Sequence, residues 1–324
     1  MEENNQERIA LADFTARISL LRDSVSTVIV GQQETVDLVL TAVIAGGHVL
    51  IEGVPGVAKT LLARLLARLI DCDFSRIQFT PDLMPSDILG TTVFNMKTQE
   101  FDFHPGPVFS EIVLVDEVNR APAKTQAALF EVMEERQVTI DGTTHRMGDI
   151  YTILATQNPV EQEGTYKLPE AQTDRFLMKI TMGYPTLDEE VTILERHHAN
   201  RSLVKLDEIQ PVITRQQLAD FRSLQNEVFV EPSLLRYIAE IVQQTRQSKV
   251  VFLGASPRAA VAMLNASKAY ALLQGRDFVT PDDIQFVTPS ILQHRLILTA
   301  EAEMEGHTPL KVASRLMDRV EVPK

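Results

Sequence analysis

The chain has 324 residues, 31 Lys and Arg against 44 Asp and Glu, 44% hydrophobic residues, one cysteine and no tryptophan. That apolar fraction over this length excludes a disordered or fibrous protein and predicts about two domains of roughly 150 residues. The formal charge of −13 disfavours a nucleic-acid client, and Cys72 alone can form neither an internal disulfide nor a cysteine zinc site, which suits a reducing compartment.

The start, Met1-Glu2-Glu3-Asn4-Asn5, lacks the basic and apolar regions of a signal peptide. The longest uncharged apolar stretch, Leu38 to Ile51, falls short of the roughly 18 residues of a membrane span and is broken by Gly46-Gly47-His48. A cytoplasmic protein with no direct membrane insertion is expected. Its acidity is uneven: 15 basic against 26 acidic residues up to Pro185, then 16 against 18.

In chain order, Ile9, Phe14, Ile18, Leu21 and Val25 recur at helical spacing and predict a helix over 8–28. Val36, Val39, Leu40 and Val43 predict a second over 33–45, ended by Gly46-Gly47. Short β-type runs then alternate with amphipathic segments: strand His48 to Ile51, helix Leu61 to Ile70, strand Ile112 to Val115, helix Thr125 to Glu135, strand Tyr151 to Ala155, and a last strand Leu177 to Thr181. This order is that of an α/β fold with a parallel sheet covered by helices. Two hairpins interrupt it, at 91–104 and at 137–147, the second turning on Asp141-Gly142. After Tyr184-Pro185 only helices are expected, started by the capping box Thr186 to Glu189 and by Ser256-Pro257, Thr280-Pro281 and Thr308-Pro309, with Gly275 closing one of them. The expected domains are thus 1–185, α/β, and 186–324, a smaller all-α domain.

Between the strand at 48–51 and the helix from Leu61 lies Gly53-Val54-Pro55-Gly56-Val57-Ala58-Lys59-Thr60. A glycine-rich loop running into a helix N-terminus points backbone N–H groups and the helix dipole at polyphosphate, with Lys59 on the β/γ-phosphates and Thr60 on Mg²⁺. Ala58 stands where the usual pattern has glycine; it fits if its φ is negative, with Gly53 and Gly56 supplying the unusual angles. The buried strand Ile112 to Val115 delivers Asp116 and Glu117 to its C-terminal end, Asp116 for the Mg²⁺ shell and Glu117 as general base on water. Asn158, after the next strand, can hydrogen-bond the γ-phosphate or the water. His197 and His198 are adjacent on a helix and point apart, so they make a poor metal pair.

These motifs, with Val30-Gly31-Gln32, the run Asp116-Glu-Val-Asn-Arg-Ala-Pro122, Leu168-Pro-Glu-Ala171, Asp174-Arg-Phe176 and Gly254-Ala-Ser-Pro-Arg258, resemble the MoxR family of AAA+ ATPases along nearly the whole chain. MoxR-type loops also carry Ala before the Lys. The resemblance implies ATP and Mg²⁺ as cofactors, with Lys59 and Thr60 the Walker A pair, Asp116 and Glu117 the Walker B pair, and Asn158 sensor 1. It further implies Arg175 as an arginine finger entering a neighbouring subunit, Arg258 as sensor 2 acting in cis or in trans, and Val30, Gly31 and Gln32 beside the adenine. Leu61 completes the nucleotide loop. By sequence Arg120 and Arg136 compete with Arg175 for the finger. The hairpins match the helix-2 insert and the pre-sensor-1 hairpin. The resemblance also implies a homo-oligomeric ring, hexameric in the family, that matures client proteins or metal-cofactor complexes, with a von Willebrand A domain protein a frequent partner. A nucleotide-gated scaffold with little turnover, or a DNA-acting or chelatase-type motor subunit, are the other readings.

Overall fold

Apolar residues at helical spacing close the first layer. In the computed structural model, which describes residues 2–159, 165–166, 168–199 and 206–323, α1 (Glu2–Val28) buries Phe14, Ile18, Leu21 and Val25, and α2 (Gln33–Ile44) buries most of its length. Met1 and Lys324, the outer ends of the two expected domains, lie outside the described residues. Gly46, at φ +65°, ends α2 as the glycine pair predicts.

The chain then runs through β1 (Val49–Gly53), α3 (Lys59–Leu69), β2 (Phe74–Gln78), α4 (Pro85–Leu89), β3 (Gly90–Asn95), β4 (Glu100–Pro105), β5 (Ile112–Asp116), α5 (Ala123–Glu135), β6 (Gln137–Ile140), β7 (Thr143–Arg146), β8 (Thr152–Gln157), α6 (Glu170–Thr173) and β9 (Met178–Met182). Five of these strands form one parallel sheet in the order β2-β5-β8-β1-β9. Side chains alternate across it. Val49, Ile51, Ile112, Leu114, Leu154 and Met178 join the core under α1, α2 and α3, whereas Leu50, Val113, Val115, Ile153 and Ala155 join the core under α4 and α5. Strands buried on both faces read as the continuous apolar runs seen in the sequence. β2 does not read so: it is one of the two edges of the sheet, and only Ile77 of its five residues is buried.

Beyond β9 come α7 (Leu187–His198), α8 (Arg215–Glu227), α9 (Pro232–Gln247), β10 (Val251–Leu253), α10 (Pro257–Leu273), α11 (Pro281–Leu292), β11 (Ile297–Leu298), α12 (Ala300–Met304) and α13 (Pro309–Met317). The all-helical expectation needs one correction. β10 and β11 pair antiparallel, because the apolar run Val251 to Leu253 extends against Ile297 and Leu298 instead of coiling. The Thr186 and Thr308 hydroxyls cap their helices as predicted, whereas at the N-cap Thr280 the Asp283 carboxylate accepts both the Thr280 N–H and its hydroxyl. Ser256 differs: its hydroxyl turns from the helix start to Asp174 Oδ2, 3.3 Å away. No helix among the described residues is long and apolar enough to cross a membrane.

Both hairpins stand off the sheet as expected. β3 pairs β4 from Gly90–Pro105 to Asn95–Glu100, and β6 pairs β7 around Asp141 (φ +49°) and Gly142 (φ +81°), both left-handed as a two-residue turn requires. They also touch each other, for the Phe103 ring stacks on His145 with centroids 4.0 Å apart.

Candidate functional site

The parallel register brings three motifs to one edge. Gly53 ends β1, Asp116 ends β5, and β8 lies between them with Asn158 just past its last residue. At about 4.8 Å between neighbouring strands, the loop and the acid pair are separated by about 10 Å of sheet, a distance a polyphosphate can bridge.

In the loop, Gly56 is left-handed at φ +89° with no atom near a would-be Cβ, leaving an open cradle. Ala58 overturns the expectation of a negative φ: it sits at φ 62°, ψ 21° as the N-cap of α3. A left-handed residue at the helix entry turns successive N–H groups toward a common centre, and that nest outweighs the roughly 1 kcal/mol or more that an L-residue gives up there. Gly53 is also needed for a different reason than expected. Its φ is not left-handed, but a Cβ there would come 2.8 Å from the Met182 carbonyl of β9. Val54, Pro55 and Val57 complete the loop, and Lys59, Thr60 and Leu61 form the first turn of α3, whose N–H groups have no acceptor within a helix. Lys59 Nζ reaches back across the loop to the Gly53 carbonyl at 2.5 Å.

The acids are held by residues that periodicity did not single out. Asp116, buried, accepts from Arg76 Nε at 2.6 Å and from the Thr156 hydroxyl at 3.1 Å. The same hydroxyl accepts the Glu117 N–H at 3.0 Å, pinning Glu117 in a left-handed conformation at φ 56°. Glu117 Oε2 receives Gln78 Nε2 at 2.9 Å and lies 3.0 Å from Arg120 Nε. Arg76 and Gln78, two apart on edge strand β2, thus face the acid pair, and their alternation about Ile77 was the available signal. The donor set at this edge, a Thr60 hydroxyl and the Asp116 carboxylate, is all oxygen and sparse, as suits a cation that keeps water and phosphate ligands.

Arg175 and Arg258 are elsewhere. Arg175 Nε lies 2.9 Å from Glu134 Oε2, and Arg258 Nη2 donates to Glu134 Oε1 at 2.8 Å. They border a cavity of about 360 Å³ together with Gly46, Gly47 and His48, the residues entering β1, so they sit at the N-terminal end of the sheet, opposite the loop. Arg120 is on the loop side against Glu117, which sets it apart from Arg175, whereas Arg136, donating to the Gly46 carbonyl at 2.5 Å, lines the same cavity as Arg175. Arg295, with a side chain 4% exposed, anchors this end: it donates to Asp174 Oδ1 at 2.6 Å and to the carbonyls of Asp174, Phe176, Leu177 and Ile291. Burial lowers its pKa and the Asp174 carboxylate opposes that shift. His48, fully enclosed, accepts the Ile153 N–H at 3.0 Å and donates to the Met133 carbonyl at 3.1 Å, and burial lowers its pKa to about 4.

Val30, Gly31 and Gln32 meet the start of α7. Gln32 Nε2 donates to the Gly183 carbonyl at 3.3 Å, and a Cβ on Gly31 would strike the Glu189 carboxylate. Val30 and Gly31 also wall a cavity of about 560 Å³ with Arg22, Asp37, Arg196 and Gln274, which no loop residue lines. Cys72 is half-buried near the end of α3, its thiol pushed up to about 12 by burial, which keeps it protonated and unreactive.

Comparison with known proteins identifies the family. Residues 48–178 match the ATPase family associated with various cellular activities (AAA), and 243–315 match the AAA lid domain. The chain is 48% identical to the uncharacterized protein YeaC of Bacillus subtilis, over 93% of each chain. It is 43% identical to the chaperone MoxR1 of Mycobacterium tuberculosis, over 93% of this chain and 81% of that one. A crystal structure from Cytophaga hutchinsonii, described as a candidate ATPase, superposes over the full length of both chains with a TM-score of 0.91 at 40% identity. The chain belongs to the MoxR family of AAA+ ATPases.

Proposed function

We propose that this ATPase works as a Mg²⁺-dependent, chaperone-like motor in a homo-oligomeric ring, a hexamer by family resemblance, which remodels or matures a bound client protein and can act with a von Willebrand A domain partner. The observation that carries the ring is the placement of Arg175 and Arg258 at the end of the sheet opposite Lys59 and Glu117. A chain whose phosphate loop and arginines lie at opposite ends needs a second copy to bring them together, and head-to-tail contacts close into rings.

In this reading the loop from Gly53 to Leu61, through its N–H groups other than at Pro55, and the Lys59 ammonium hold the phosphates, with Lys59 exchanging the Gly53 carbonyl for phosphate oxygen. Thr60 and Asp116 would hold Mg²⁺, which would supply positive charge against the phosphates. Glu117 takes a proton from the attacking water, Asn158 orients that water against the γ-phosphate, and Val30, Gly31 and Gln32 border the adenine. Arg175, joined by Arg258 from the same protomer, enters the neighbour's site in trans. A finger of this kind contributes about 10³ to 10⁵ in rate.

The test is the Glu117→Gln variant. It should bind ATP with unchanged affinity, lose hydrolysis by about 10² to 10⁴, and hold the client in a complex stable enough to isolate. Full client maturation by a variant that no longer hydrolyses ATP would favour the scaffold reading instead.

A further inference from the structure

The two guanidiniums at the arginine end converge on one carboxylate. Glu134, in the last turn of α5, gives one oxygen to Arg175, which precedes β9, and the other to Arg258, in the first turn of α10. Its two partners therefore come from the sheet domain and from the lid. Their side chains are 28% and 60% exposed, and Glu134 itself is 35% exposed, so the cluster opens to the surface. Around it stand Arg136 and Arg295, with Asp174 the other carboxylate of the cavity lining. Four arginines against two acids leave the cavity cationic while Glu134 occupies the point where two of the guanidiniums meet.

A carboxylate with one oxygen toward each guanidinium presents the charge and spacing that two oxygens of a phosphoryl group would present. The Arg175 contact is also poorly aimed: its Nε is buried and within ion-pair distance, yet its N–H makes no hydrogen bond. That pairing is therefore weaker than a fork-on-carboxylate bond and suited to exchange. Resting on the trans reading above, we propose that Glu134 is a positioning residue, an internal stand-in for phosphate. It yokes Arg175 and Arg258 together on the unengaged protomer and releases both to the terminal phosphate of ATP bound by a second copy. Finger and lid arginine are then delivered as one unit, and the competing carboxylate sets how readily ATP drives assembly.

The experiment measures self-association by sedimentation velocity across a protein series, with a non-hydrolysable ATP analogue or with ADP. Glu134→Gln keeps size and loses charge. It should assemble with the ATP analogue at a protein concentration three- to tenfold lower than the parent and show no change with ADP, which lacks the third phosphate. Glu134→Asp, retaining the carboxylate, should stay near the parent. An unchanged or weakened response to the ATP analogue, or an equal shift with both nucleotides, overturns the stand-in role. Arg175→Ala and Arg258→Ala separate this from the reading beneath it: if both keep the parent's ATP-specific assembly, the trans arrangement itself fails. If they lose it while Glu134→Gln does not shift, only the stand-in fails.

Discussion

The two ends of the parallel sheet are built on different principles. At the C-terminal end, the candidate site is shaped by backbone conformation: Gly56, Ala58 and Glu117 are all left-handed, and one Thr156 hydroxyl fixes both acids. At the N-terminal end, the proposed trans-acting groups are long side chains held by ion pairs, with Glu134, Asp174 and Arg295 tying the 174–177 segment to the lid. Strain at the first end is stored locally and is independent of the lid. Order at the second is shared: Arg175, Arg136 and His48 are held within the sheet domain, while Arg258 and Arg295 come from the lid. One end is built within the sheet domain, and the other draws part of its ties from the lid.

The sharpest way to break that comparison is to mix two inactive variants. Glu117→Gln leaves the arginine end intact and Arg175→Ala leaves the loop end intact; each alone should lose about 10³ in turnover. Combined, they form interfaces in which an intact loop faces an intact finger, and steady-state hydrolysis should recover in part. Failure to recover at every mixing ratio would place both groups in one protomer's site. Next, Arg295→Met removes the buried anchor of the arginine end. Breaking such a pair should cost about 3 kcal/mol, read by thermal or urea unfolding, while nucleotide binding by the folded protein stays near the parent because the loop end does not depend on it.

Acid should attack the same end. The pKa of His48 is lowered to about 4 in the folded chain, and that of His294, enclosed beside Phe176 and Arg295, is lowered as well. Both histidines are held neutral, so the unfolded chain binds protons more readily than the folded one below pH 6.5. The stability this represents is present above that pH and lost progressively as pH falls from about 6.5 toward 4. For His48 the loss approaches about 3 kcal/mol at the low end, and His48→Gln should flatten the pH dependence of the melting temperature. The smallest effect belongs to the loop end: Ala58→Gly removes the left-handed penalty and should raise stability by about 1 kcal/mol at most, since glycine is also freer when unfolded.

How much of this was legible in the sequence follows from how local each feature is. The loop from Gly53 to Thr60 and the Asp116-Glu117 pair are short contiguous segments between a buried strand and a helix, so spacing alone located them. Ala58 misled because side-chain preference points to negative φ, whereas the loop is shaped by where its N–H groups must aim. The requirement for Gly53 is set by Met182 on a neighbouring strand, and the fixing of Asp116 by Arg76 arises from the Gln78–Asp116 ladder register. Edge strand β2 has no apolar run to announce it. The ties of Glu134 to Arg258 and of Asp174 to Arg295 span 124 and 121 residues, and no periodicity connects positions so far apart.

The stack of Phe103 on His145 has a mechanical consequence. β4 belongs to a hairpin whose tip exposes Phe94, Phe101 and, at 85%, Met96. β7 leads directly through residues 147–151 into β8, which ends beside Asn158. Phe109 lies edge-on to both rings, so the exposed tip is joined through three rings to the chain that enters the strand between the phosphate loop and the acids, and the two inserts pack as one unit instead of as two independent arms.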